Sequence, residues 1–171
     1  IDVTKYLATG SNTPQEITLC CTDDTDTAPI ARGRQRLEHG GTNHAAQSGI
    51  WQTVWMESVP KKYISSVTIT PLCDENAAEL LVESRGGMMT GRLQVYAHRT
   101  CTADVEFRTG NPVRISLPGF LSWSPRRPFL YNVNIAAGQD RIKTYFGMRK
   151  ISVEPDADGT PRLMLNGRPF F

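Results

Sequence analysis

The sequence predicts an all-β protein whose largest part is an immunoglobulin-like β-sandwich. Three observations carry that prediction. Apolar residues recur with a period of two along most of the chain, which marks half-buried strands. No stretch of a dozen residues shows a convincing helical period. Strand candidates separated by turn signals recur from Lys62 to Val153, and about seven strands in about a hundred residues is the pattern of an immunoglobulin-like sandwich.

The strand candidates in that region are "YISSVTI", "AELLVES", "GRLQVYAH", "ADVEF", "PVRISL", "FLYNVNI" and "DRIKTYFGMRKISV". Their alternation assigns core faces directly. Leu93, Val95 and Ala97 share one face, with Gln94, Tyr96 and His98 opposite. Val113, Ile115 and Leu117 alternate with Arg114 and Ser116, and Tyr131, Val133 and Ile135 with Leu130, Asn132 and Asn134. Burying each Val, Leu, Ile or Phe contributes about 1.5 to 3 kcal/mol, so a sandwich of this size needs no disulfide.

Ahead of Pro60 the texture changes. "IDVTKYLATG", "PQEITLCCTDD" and "SGIWQTVWMESVP" read as strands, but "TDTAPIARGRQRLEHGGTNHAAQSG" is a long polar loop, and loops of that length are commonly functional or disordered. Downstream, "GTPRLMLNGRPFF" sets an Asn-Gly pair between apolar residues, a strong hairpin signal. Residues 1 to about 60 are therefore expected to belong to a domain that begins earlier, and residues 154–171 to one that continues.

Composition excludes several classes. The 171-residue chain has a net charge of +2 with dispersed basic residues, which argues against a nucleic-acid groove. No apolar run is long enough to span a membrane. The four cysteines, Cys20, Cys21, Cys73 and Cys101, lack C-x-x-C spacing and are expected as free, buried or half-buried thiols. The acidic run Thr22 to Thr27 lacks the Gly and closing Glu of an EF-hand loop and reads as a solvated turn. His39 and His44 are badly spaced for shared ligation, and His98 falls on a polar strand face. No metal, cofactor or catalytic residue is expected.

Five segments then coincide in one order: "IDVTKYLATGSNTPQEITL", "SGIWQTVWMESVP", "WSPRRPFLY", "DRIKTYFGMRKISV" and "LMLNGRPFF". Together they resemble the non-catalytic front half of glycoside hydrolase family 2, which includes β-galactosidases, β-glucuronidases and β-mannosidases. The resemblance implies a jelly-roll sugar-binding domain, an immunoglobulin-like sandwich and a (β/α)₈ catalytic barrel. Residues 1–60 would be the closing strands of the jelly roll, 61–153 the sandwich, and 154–171 the lead-in hairpin to the barrel. The partners so implied are a carbohydrate substrate of the parent enzyme and the barrel of the same chain.

Retaining glycoside cleavage needs two carboxylates about 5 Å apart. In the family the acid/base glutamate sits in an Asn-Glu pair, which occurs nowhere in this sequence, and a barrel takes about 250 residues. The segment is therefore expected to be a scaffold that positions the sugar-binding domain against the barrel of a β-galactosidase-like parent, with no glycosidase activity of its own. A free-standing carbohydrate-binding or adhesion module is the alternative, and a structural spacer in a surface protein a third.

The resemblance also singles out residues. In relatives the loop before Ser48-Gly49-Ile50 reaches toward the barrel mouth and in several branches touches the sugar; its matching positions are Asn43 and His44, in place of the aspartate or the Trp-Tyr pair found elsewhere, and an exposed loop tip with no ligand is the alternative reading. Trp51 and Trp55 would share one strand face and are expected in a core or interface rather than as a stacking platform. Trp123 is expected to plug the sandwich edge beside prolines that stop the ladder. Arg149 is expected as an anchor toward the barrel, because its rigid fork of donors suits buried carbonyl or carboxylate partners.

Overall fold

A computed structural model describes residues 1–7 and 14–170. The chain forms two compact units, Ile1–Met56 and Glu57–Phe171.

The second unit holds the predicted sandwich. One sheet has the order β3-β4-β7, from β3 (Tyr63–Leu72), β4 (Ala77–Arg85) and β7 (Val113–Ser116). The other has the order β6-β5-β8-β9, from β5 (Thr90–Ala97), β6 (Thr100–Arg108), β8 (Tyr131–Ala137) and β9 (Asp140–Phe146). Every pairing in both sheets is antiparallel. The chain passes between the sheets after β4, after β6 and after β7, so neither sheet is a simple meander.

The alternation read from the sequence becomes the core. Leu80, Leu93, Val95, Ile115, Val133 and Ile135 are almost wholly buried and belong to one apolar cluster that draws on both sheets. Tyr131 is buried too, and its hydroxyl accepts a hydrogen bond from the Leu121 amide at 2.9 Å, so the ring's polar end is satisfied. The sheets are also joined by Asp140, whose Oδ2 accepts the Ile64 amide at 2.8 Å.

The segment expected as one strand, "DRIKTYFGMRKISV", is two. It leaves β8 at Phe146 and resumes as β10 (Ile151–Pro155), which pairs with β11 (Pro161–Leu165), itself paired with β12 (Arg168–Pro169). A change of ladder partner explains the break. At Met148 the carbonyl accepts the Trp123 amide at 2.8 Å instead of continuing along β8. The Asn166-Gly167 hairpin forms as expected, with φ of 53° and 73° at its two central residues.

The first unit departs from expectation. "PQEITLCCTDD" and "SGIWQTVWMESVP" are not strands, and "IDVTKYLATG" contains a 3₁₀ turn at Thr4–Tyr6, its last three residues lying outside the described ones. Extended backbone becomes a strand only when a neighbour completes its ladder, and these segments have none among the described residues. Cys20, Cys21 and Cys101 are exposed for the same reason or by position at a strand face, and only Cys73 is half-buried. Among the described residues of this unit the long polar segment supplies a sheet, a parallel pair of β1 (Gln35–Arg36) and β2 (His44–Ala45). His98 is not on a strand: it takes a left-handed conformation in the β5–β6 turn and packs edge-on to Phe129, 4.8 Å between ring centres.

Candidate functional site

Asn43 and His44 sit together on the polar loop of the first unit, and a set of short-range bonds shapes that loop. The Asn43 amide donates to the Gly40 carbonyl and the His44 amide to the Arg34 carbonyl, both at 3.0 Å, closing a tight turn that ends in β2. Gln35 reaches across so that its Oε1 accepts the Gln47 amide at 2.8 Å. The ends of the segment are tied by Asp23, which accepts the Ser48 hydroxyl at 2.6 Å and the Thr25 amide at 2.7 Å. Asp26 accepts the Leu37 amide and pairs with Arg36.

These carboxylates are what sequence reasoning missed. The acidic run is the largely exposed turn that was expected, and within it Asp23 and Asp26 are also the pins of the loop that presents Asn43 and His44. The Ser48 hydroxyl, and then the Thr25 amide, hold the Asp23 carboxyl below its ordinary range by bonding to the charged form. Distance in sequence hid them, because the Asp23–Ser48 bond spans 25 residues. The Asn43 and His44 side chains are exposed and make no hydrogen bond to another described residue. Both retain donors and acceptors for hydroxyl groups.

Trp51 and Trp55 do not lie in a core within the first unit. They are 86% and 75% exposed, in a segment with a bend at Gln52 and no ladder partner among the described residues.

Trp123 and Arg149 are brought together in the second unit. The Arg149 guanidinium lies over the Trp123 ring, 4.8 Å from its centre. Gly147 makes this packing possible, since a Cβ there would stand 3.0 Å from the Trp123 side chain. Trp123 is half-buried rather than a full plug, and the exposed Arg149 covers one face of its ring. Asn166 ties the arrangement to the terminal hairpin: its Nδ2 donates to the Trp123 carbonyl at 2.9 Å while its Oδ1 accepts the Lys150 amide at 2.9 Å. The Asn166 amide in turn donates to the Lys150 carbonyl at 2.8 Å. Beside this junction Trp123, Pro125, Arg149, Ile151, Leu163 and Phe170 line most of an apolar cleft of about 220 Å³. Arg149 has no ion-pair partner among the described residues.

The two clusters have different chemistry. The loop of Asn43 and His44 offers exposed hydrogen-bonding groups on a pinned frame, suited to touching a polar ligand. The Trp123–Arg149 junction offers an apolar surface with one cation, suited to packing against another body. The carboxylates of the first cluster, Asp23 and Asp26, are occupied in pinning the loop.

No protein-family model and no curated protein matches the chain. Solved structures do. The chain is similar to a β-glucuronidase from Faecalibacterium prausnitzii, with 29% identity and a TM-score of 0.53 over 64% of this chain and 17% of that one. It is similar in fold to a β-D-glucuronidase from Dictyoglomus thermophilum, at 21% identity and a TM-score of 0.51 over 66% of this chain and 19% of the other. A β-glucuronidase from Lactobacillus rhamnosus matches at 18% identity and a TM-score of 0.52, over 65% and 19%. The chain thus spans less than a fifth of the length of these structures, and the resemblance to glycoside hydrolase family 2 read from its motifs holds in three dimensions across about two thirds of it.

Proposed function

We propose that this chain is a non-catalytic scaffold segment of a glycoside hydrolase, and that the whole enzyme cleaves O-glycosyl bonds with β-glucuronidase-like rather than β-galactosidase-like specificity. The observation that carries this reading is the match to the Faecalibacterium prausnitzii β-glucuronidase, at 29% identity over 64% of the chain. In this reading residues 1–60 close a sugar-binding domain, the sandwich sets its angle to a catalytic barrel, and 154–171 lead into that barrel. Asn43 and His44 would lend one loop to the sugar pocket. Trp51 and Trp55, on the sugar-binding side, and Trp123 with Arg149, on the sandwich, would be covered by the rest of the enzyme. The exposure of both tryptophans and the open apolar cleft support that assignment.

The scaffold reading is supported by the residues of this segment. It holds neither the Asn-Glu pair nor the length for a barrel. The purified chain should therefore not turn over p-nitrophenyl β-D-glucuronide or the corresponding galactoside. Its coding sequence should continue past Phe171 into a few hundred residues of alternating β/α pattern with an Asn-Glu at a strand end. Turnover that tracks with the purified chain, or a reading frame that stops at Phe171, would overturn the proposal.

A further inference from the structure

The outer face of the four-stranded sheet has a shape its core face does not need. Register places Arg92, Ala136 and Arg141 side by side on β5, β8 and β9. Two residues along, the row is Gln94, Asn134 and Lys143; two further, it is Tyr96, Asn132 and Tyr145. The middle strand thus carries short side chains and both flanking strands long ones. The result is a trough along β8, about 13 Å from Ala136 to Asn132 and about 10 Å between the flanking backbones. At its arginine end it opens into a depression of about 620 Å³, bounded by Arg92, Arg108 and Arg141.

The groups in the trough are of three kinds. Arg92 is neutralised by a two-pronged pair with Asp104, at 2.5 and 2.8 Å, and Gln94 donates to the same carboxylate at 2.9 Å. Arg141 is held in place because its Nη1 donates to the Gly138 and Asp140 carbonyls at 2.9 and 2.7 Å, while its Nε and Nη2 stay available. Lys143 has no partner among the described residues. The Asp140 carboxylate is taken by the Ile64 and Arg141 amides; Glu106 stands directly across from Arg92 and adds to the negative charge beside it, and Arg108 at the rim of the depression turns its Nε to the Met88 sulfur. The trough therefore keeps two uncompensated cations. Its remaining groups are the Asn132 and Asn134 amides, with no hydrogen bond to another described residue, and the Tyr145 ring, 64% exposed.

We propose that this trough binds a short acidic oligosaccharide. Uronate carboxylates would sit at Arg141 and Lys143, hydroxyls would bond to the Asn132 and Asn134 amides, and a sugar ring would lie on Tyr145. The amides both donate and accept, as hydroxyls require, and a held guanidinium with a free edge matches a carboxylate. An exposed aromatic at the far end supplies the flat apolar surface that a sugar's C–H face needs. The site lies on the sandwich itself and goes beyond the scaffold role, since it requires no part of a catalytic barrel.

The test is an NMR titration of the ¹⁵N-labelled 171-residue chain with trigalacturonate and, separately, with its fully methyl-esterified form. The acid should shift amides along the central parts of β5, β8 and β9, and the binding should weaken with added salt. The ester should bind at least about tenfold more weakly, and Lys143→Ala or Tyr145→Ala should each weaken the acid about three- to tenfold. Both side chains are exposed, so an unchanged spectrum of the unliganded variants checks that the fold is kept. Absence of shifts at millimolar trigalacturonate, shifts elsewhere on the chain, equal binding of acid and ester, or full affinity in Tyr145→Ala would each overturn the proposal.

Discussion

Replacing Asn166 separates two physical contributions at the junction of sandwich and hairpin. Its side chain makes two hydrogen bonds, to the Lys150 amide and the Trp123 carbonyl, and its backbone holds φ at 53°. Each partly buried bond contributes about 0.5–1.5 kcal/mol. The left-handed conformation adds about 1–2 kcal/mol for alanine, a cost that asparagine tolerates better and glycine escapes. Asn166→Ala should therefore cost about 2–5 kcal/mol, and Asn166→Gly about 1–3 kcal/mol, the difference being the backbone contribution. Urea unfolding followed by near-ultraviolet circular dichroism measures the totals, and hydrogen exchange at the Lys150 amide reports the local opening. Both variants should speed that exchange, since each removes its acceptor. Equal stability of wild type and Asn166→Ala, or a glycine variant less stable than the alanine one, would refute the reasoning.

Trp123→Ala should cost about 2–3 kcal/mol, below the range for a wholly buried tryptophan because the ring is only half-buried and partly covered by Arg149; a denaturant melt checks it. Gly91→Ala should destabilise by at least about 3 kcal/mol or prevent folding, because the new Cβ would lie 2.2 Å from the Ala136 carbonyl and 2.8 Å from the Phe107 ring; yield and circular dichroism decide it. The pH response of the first unit should follow Asp23. Its folded carboxyl titrates below the ordinary value of 3.8, so its bonds to Ser48 and Thr25 support the loop above that value and are lost as pH falls below it. The Thr25 amide resonance should move in that acid range in wild type and not in Asp23→Asn.

The sandwich was legible because its information is local. Strict alternation in "LYNVNI" or "VRISL" fixes which side chains point inward, and a one-residue error would reverse every one of them. The Asn-Gly hairpin was legible for a similar reason, since few residues accept positive φ twice in succession. Among the described residues the strands expected before Pro60 were not formed, because period-two sequence declares a capacity for pairing and says nothing of whether a partner is at hand. Trp51 and Trp55 show the consequence: a shared face that two tryptophans could bury stays exposed when nothing pairs alongside.

By itself, then, the sequence determined the all-β class, the inward faces of the sandwich, the terminal hairpin and the family resemblance, all of which rest on neighbours in the chain or on motifs in order. Tertiary structure alone decided that Asp23 and Ser48 pin one loop, that Arg149 covers Trp123, and that Arg141, Lys143 and Tyr145 wall a trough opposite Arg92, Gln94 and Tyr96. Those outcomes depend on which strand lies beside which, and on contacts between residues tens of positions apart. Such contacts leave no period in a sequence, because their spacing is set by loop length and sheet order rather than by the repeat of the backbone.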